Sequence, residues 1–153
     1  MILISHRGNI DGRNQNKENS PEYIFETLSF GFEVEIDVWL NDNQFYLGHD
    51  KPTYPIDSKM LVNDKLWCHA KNIDALAAML REPSIHCFWH QNDDAVLTSK
   101  RYIWTYPGKR IARNRAIAVK PELHKGHDIS MAEGICSDYI ADYVTSVSST
   151  RTV

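Results

Sequence analysis

The sequence predicts an α/β fold: a compact TIM-type (β/α) barrel in which one or more helices are shortened or missing. Apolar strand-like runs recur along the chain with short helical or turn segments between them, which is the pattern of a parallel sheet. The number of such runs suits a barrel better than an open sheet. The 153 residues are few for that architecture. Eight βα units would have roughly 19 residues each, whereas a full barrel takes about 250 in all, so several units must lack a complete helix.

The elements follow in order. A short apolar strand over 2–5 delivers His6 at its C-terminal end. Ser20-Pro21 begins a helix by N-cap and first-turn preference, Ile24, Phe25 and Leu28 give it an apolar face, and Gly31 can end it. Residues 33–39 alternate, with Glu33, Glu35, Asp37 and Trp39 on one face and Val34, Ile36 and Val38 on the other. A turn at Asn41-Asp42-Asn43 leads to a strand over 45–47 that presents His49. Residues 50–66, rich in Pro, Asp and Lys, read as a loop. A strand over 66–71 is followed by a helix whose Ile73, Leu76, Ala77 and Leu80 have the spacing of a buried stripe. Further strand-like runs lie at 86–90, 102–106, 116–119 and 135–137. The organisation is one domain over 1–144 and a polar tail over 145–153 that is expected to fray.

Composition sets outer limits. At 42% hydrophobic and 24% charged, the chain can build an ordinary globular core. A formal charge of −3 gives no global attraction to nucleic acid or anionic membrane, so an anionic ligand has to be held by local positive groups. Cys68, Cys87 and Cys136 are an odd set within or beside apolar runs and read as reduced, buried thiols. No apolar run approaches the ~18 residues of a membrane span, and the first strand follows Met1 closely; both point to a cytoplasmic protein. Lys109, Arg110, Arg113 and Arg115 form a basic cluster that reads as a solvated connection. Trp39, Trp67, Trp89 and Trp104 read as core, with Trp104 and Tyr106 placed to line a pocket.

The chemistry concentrates in His6-Arg7-Gly8, Glu18-Asn19-Ser20, Glu35-Ile36-Asp37 and His49-Asp50. Two histidines, an arginine and two carboxylates on one strand face are the parts needed for metal-assisted attack on a phosphate ester. Glu35 and Asp37 point into the same space, and a hard cation between them relieves their repulsion. An exposed acidic strand is the competing reading, but the apolar opposite face fits a buried strand. Imidazoles such as His6 and His49 can act as acid or base near neutrality. Arg7 can grip a phosphate, with Gly8 allowing close backbone approach. Asn19-Ser20 either serves the site or only caps the helix. His69 shares a strand face with Lys71 and is either an imidazole ligand or a satisfied interior histidine. For His90, core packing is the simpler role.

In this order and spacing, the four motifs resemble the glycerophosphodiester phosphodiesterase family, of the phosphatidylinositol-phospholipase-C-like phosphodiesterase superfamily, in an unusually short form. Residues 1–50 carry the resemblance, with further matches at Lys71 and at Gly134-Ile135-Cys136-Ser137-Asp138-Tyr139, which looks like the family's closing strand. The resemblance implies a hydrolase of lipid metabolism that cleaves a glycerophosphodiester or related lysophospholipid. His6 and His49 would be catalytic, Arg7, Lys71 and Asn19 would bind substrate, and Glu18 would support them. One divalent ion (Mg, Ca or Mn, with Zn admitted if His69 is a ligand) would sit on Glu35, Asp37 and His69. The chain departs from the family at His69-Ala70-Lys71, where Glu-x-Lys is usual. That change and the short loops keep a non-catalytic, phosphate-ligand-binding relative open. A lyase that stops at a cyclic phosphate, as in the similar spider-venom phospholipase D enzymes, also stays open. The expected partner is a small phosphodiester, without nucleic acid or a membrane span. A missing helix would expose apolar strand faces through which copies could pair.

Overall fold

The computed structural model describes residues 1–144, and the polar tail expected over 145–153 lies outside the described residues. Ten strands form one mixed, curled sheet. They are β1 (Ile2–His6), β2 (Glu33–Asn41), β3 (Gln44–Leu47), β4 (Tyr54–Ile56), β5 (Leu66–Ala70), β6 (Cys87–Phe88), β7 (Ala95–Leu97), β8 (Ile103–Thr105), β9 (Ala116–Val119) and β10 (Gly134–Ser137). The α-helices are α1 (Pro21–Ser29) and α2 (Ile73–Met79), and short 3-10 turns cover Ser58–Val62, Pro121–Leu123 and Ile140–Tyr143.

Strands β8, β9, β10, β1, β2, β5 and β6 run parallel in that spatial order. Strand β2 is the spine. It pairs with β5 along one edge, while β1 and then β3 share the other, so that Val38 faces Ala70 on one side and Leu47 on the other. Alternation along the strands splits the core in two. Outward side chains Val34, Ile36, Val38 and Cys68 pack with Ile24 of α1, Ala75 and Met79 of α2 and Leu61. Inside the curl, Ile4, Trp67, Phe88, Trp104, Ile117 and Cys136 fill the space. Both helices begin as their sequences dictate: Ser20 Oγ accepts from the Tyr23 N–H at 3.3 Å, and Asn72 Oδ1 accepts from the Ala75 N–H at 3.0 Å.

This architecture corrects the expected TIM-type barrel. The molecule is mostly β, a half-barrel whose two helices are only 9 and 7 residues long. The buried stripe expected for α2 is displaced: Ala75 and Met79 face the core, while Ile73, Ala77 and Leu80 are exposed. Among the described residues past β6 no α-helix joins the strands, and the chain instead folds β7 and β8 into an antiparallel hairpin. The stretch expected as a loop over 50–66 holds β4, which extends β2 and β3 as a meander, and a 3-10 turn. Among the described residues no ladder closes β6 onto β7 or β8. Ser99 bridges instead, its N–H donating to the Cys87 carbonyl at 2.8 Å and its Oγ accepting from the Cys87 N–H at 2.9 Å. The three cysteines are free and buried, as expected. Trp67 and Trp104 are buried in the inner core, whereas Trp39 and Trp89 are only partly buried. No helix among the described residues is long and apolar enough to cross a membrane.

His86 is buried against Trp67, with Nε2 2.8 Å from Thr98 Oγ1. Burial, then Lys100 and Arg115, push its pKa down to about 4. The unfolded chain takes up this proton near pH 6.5 and the folded protein only near 4, so stability falls as pH drops through that window. Urea unfolding should show a loss of roughly 2 kcal/mol between those limits, and His86→Phe should flatten that part of the profile.

Candidate functional site

The parallel strands end on one side of the sheet, and their C-terminal ends surround a cleft of about 530 Å³. His6, Arg7, Glu35, His49, His69 and Lys71 line it, with Trp104, Tyr106 and Lys120 on the far wall. Register explains the convergence. His6 lies beside Glu35 across β1 and β2, and Asp37 lies beside His69 across β2 and β5. Lys71 follows β5, where its N–H donates to the Val38 carbonyl at 2.8 Å. His49 is turned back toward β2 because the Gly48 N–H donates to the Asp37 carbonyl at 3.1 Å and the Gly48 carbonyl accepts from Trp39 Nε1 at 2.6 Å.

Asp37 is fully buried and surrounded by donors. Arg7 Nε lies 2.8 Å from Oδ2, in ion contact but off the hydrogen-bond direction. Asn19 Nδ2 donates to the same oxygen at 2.9 Å, while Asn19 Oδ1 accepts the Asp37 N–H at 2.9 Å. On Oδ1, His69 Nδ1 lies at 3.1 Å and Lys71 Nζ at 3.4 Å. Burial alone would raise the Asp37 pKa, but the His69 hydrogen bond and the charges of Arg7, His69 and Lys71 outweigh it and hold the group ionised. His69 is likewise pushed down by burial but driven net upward, to about 9, by its contacts with Asp37 and Glu35.

Glu35, Asp37 and His69 bring one ligand atom each to within 4.8 Å of one another, and this buried group can hold a metal ion. Glu35 Oε2 supplies an independent sign of fit, since it is buried without a hydrogen-bond partner among the described residues. Such an orphaned carboxylate oxygen is costly unless a cation or ligand meets it.

A second cluster stands beside the first. His6 Nδ1 lies 2.7 Å from Asp138 Oδ1, and Lys120 Nζ lies 2.7 Å from Asp138 Oδ2. Asn9 Nδ2 also donates to Asp138 Oδ1, at 2.8 Å. Burial opposes ionisation of Asp138, but the His6 and Lys120 contacts prevail and its pKa is depressed. The ionised carboxylate therefore accepts a hydrogen bond from the Nδ1–H of His6, which leaves Nε2 directed at the carboxylate pair, 3.9 Å from Glu35 Oε2. His49 flanks the other side, its Nδ1 3.7 Å from Asp37 Oδ2 and 3.3 Å from Lys71 Nζ.

The loops bear backbone strain where they serve the site. Arg7, Asn19 and Lys120 adopt left-handed conformations, with φ of 59°, 64° and 44°. Gly8 has φ of +95°, and a Cβ there would come within 2.7 Å of Tyr23.

All the residues expected from sequence fall in or beside this constellation. His6, His49, Arg7, Lys71, Glu35, Asp37 and His69 line the cleft or its floor. Asn19 reaches the site through Asp37, and Glu18 braces Arg7 from behind, with Oε2 3.5 Å from Arg7 Nη1 and Oε1 accepting from Asn9 and Arg13 at 3.0 Å. Ser20 does cap α1, so the Asn19-Ser20 pair divides its work: Asn19 to the site, Ser20 to the helix. His90 stacks on His69 with ring centroids 5.0 Å apart. Sequence reasoning missed the roles of Asp138, Lys120 and Asn9. Asp138 and Lys120 directly follow parallel strands, the same position that Arg7 and Lys71 occupy after β1 and β5. Comparison with protein-family models, curated proteins and solved structures finds no match.

Asn19→Gly tolerates the left-handed backbone but removes both amide contacts to Asp37. The variant should lose about 1–3 kcal/mol in denaturant unfolding, because a buried carboxylate oxygen and a backbone N–H lose their partners. An unchanged midpoint would show that Asp37 does not depend on this loop.

Proposed function

We propose that the cleft cleaves a phosphodiester, with His6 and His49 as the acid-base pair. The observation that carries this reading is their placement: two imidazoles flank one buried carboxylate pair, each with a ring nitrogen within 3.9 Å of a carboxylate oxygen. Arg7 and Lys71 provide positive charge where the phosphate would lie. One histidine takes the proton of an attacking hydroxyl or water, and the other returns a proton to the departing alkoxide. Asp138 keeps His6 in the tautomer and orientation that expose Nε2. A divalent ion held by Glu35, Asp37 and His69 would supply charge neutralisation to the phosphate.

The resemblance of residues 1–50 to glycerophosphodiester phosphodiesterases favours a glycerophosphodiester or lysophospholipid as substrate, hydrolysed in one step or through a cyclic phosphate. Two carboxylates suit magnesium, calcium or manganese, and the imidazole of His69 shifts the preference toward manganese or zinc. A metal-free, non-catalytic site that binds a phosphorylated ligand is the second reading. It is favoured by Asp37, whose two oxygens are already met by Arg7, His69 and Lys71.

Turnover of glycerophosphodiesters and a chromogenic diester, measured across these four ions, tests the proposal. His6→Ala and Glu35→Ala should each reduce the rate by roughly 10²- to 10⁴-fold. Phosphorus NMR of the products separates a lyase, which accumulates cyclic phosphate, from a hydrolase. Absence of turnover with every ion, combined with orthophosphate binding in the presence of a chelator, would replace catalysis by the binding reading.

In parallel, manganese binding followed by water-proton relaxation should weaken at least tenfold in Glu35→Gln and in His69→Ala. Equal binding by both variants and the wild type would remove the ion from this group.

A further inference from the structure

We infer that the cleft mouth docks on an anionic lipid surface through the loops that follow β8 and β9. The loops that follow β8 and β9, residues 106–115 and 120–133, contain six lysines and arginines and three acidic residues, Glu122, Asp128 and Glu133, within a chain whose formal charge is −3. The positive charge is therefore local, which is the condition for attraction to an anionic surface by an acidic protein. Its position is set by the fold. Tyr106, Pro107 and Lys120, at the ends of these two parallel strands, line the cleft. The loops meet at Gly108, where a Cβ would come within 2.9 Å of the His124 ring.

Not every member of the basic cluster is available. Arg115 donates to the carbonyls of Arg101 and Lys100, and Lys109 pairs with Asp94 at 2.7 Å. Arg110 and Lys125 are exposed, and no ion pair among the described residues engages either. Lys120 is held by Asp138, and two residues before Lys125 stands Leu123, a large apolar side chain that is 60% exposed at the end of a 3-10 turn. An exposed aliphatic side chain on loops that carry the free cations Arg110 and Lys125 suits a bilayer, where the charges meet lipid phosphates and the side chain enters the interface. A nucleic acid would gain nothing from Leu123. The inference deepens the proposed function by naming a phosphodiester presented at a lipid surface, and it rests on that reading for the substrate but not for the docking.

Vesicle sedimentation of the whole chain, without turnover, keeps the two apart. Vesicles with about one-third phosphatidylserine should retain the protein at low salt and release it at high salt, and pure phosphatidylcholine should not retain it. Arg110→Glu with Lys125→Glu should weaken retention about tenfold or more. Leu123→Ser should weaken it roughly fivefold, with unchanged thermal unfolding. No retention on either vesicle would overturn the inference. So would equal retention of wild type and Leu123→Ser together with tight binding of single-stranded DNA, which would assign the rim to nucleic acid. Retention without catalytic turnover would leave docking in place and remove only the enzymatic reading.

Discussion

Glu35 and Asp37 are both almost fully removed from water on one face of β2, and most of the surrounding structure answers to that charge. Two like charges this close to each other and to a packed interior are untenable unless opposite charge and hydrogen-bond donors are brought to them. Arg7, Lys71, His69 and Asn19 all converge on Asp37, from the ends of two strands and from the loop before α1. Two of these, Arg7 and Asn19, take up left-handed backbone conformations. Strain of that kind persists only where the surroundings over-determine it. Here the over-determination is visible: the Arg7 N–H extends the β2 ladder by donating to the Glu35 carbonyl, and the Asn19 N–H donates to the Arg7 carbonyl.

A half-barrel is sufficient for such a site because what matters is adjacency of strand ends, not closure of the ring. Strands β10, β1, β2 and β5 are consecutive neighbours, and between them they deliver Asp138, His6, Glu35, Asp37 and His69. The sheet beyond them shapes the far wall with Trp104 and Tyr106. Replacing βα units by hairpins and 3-10 turns removes mass from the periphery and leaves this central register intact.

The distinction also explains what could be read from the sequence. Period-two alternation over 33–39 placed the carboxylates opposite Val34, Ile36 and Val38, and the structure buries those apolar residues under α1 and α2 as that pattern requires. The cap at Ser20 is a local signal and appears where the sequence predicts it, whereas the cap of α2 at Asn72 was not read. Barrel closure was not legible, because it depends on how the chain returns after each strand. The short run Ala95-Val96-Leu97 has no periodicity long enough to announce the hairpin that takes the place of a helix. Asp138 shows the same limit for the site. Its contact with His6 spans 132 positions and follows from the pairing of Ser5 with Ser137, a register that no neighbouring residue encodes.

His69 alters the charge balance of the centre in a way that a third carboxylate would not. Glu35 and Asp37 together carry two negative charges, which one divalent ion would match while Arg7 and Lys71 remained as surplus positive charge for an incoming anion. A carboxylate at 69 would consume part of that surplus and would meet Asp37 as a like charge at the spacing where His69 now lies, 3.1 Å away. The neighbouring cluster is closer to self-contained, with Lys120 on Asp138 and Arg13 on Glu18. The cleft is thus electrostatically asymmetric. The side built on β2 and β5 gathers Arg7, His69 and Lys71 about Asp37, and the side built on β9 and β10 brings Lys120 and Asp138 to His6.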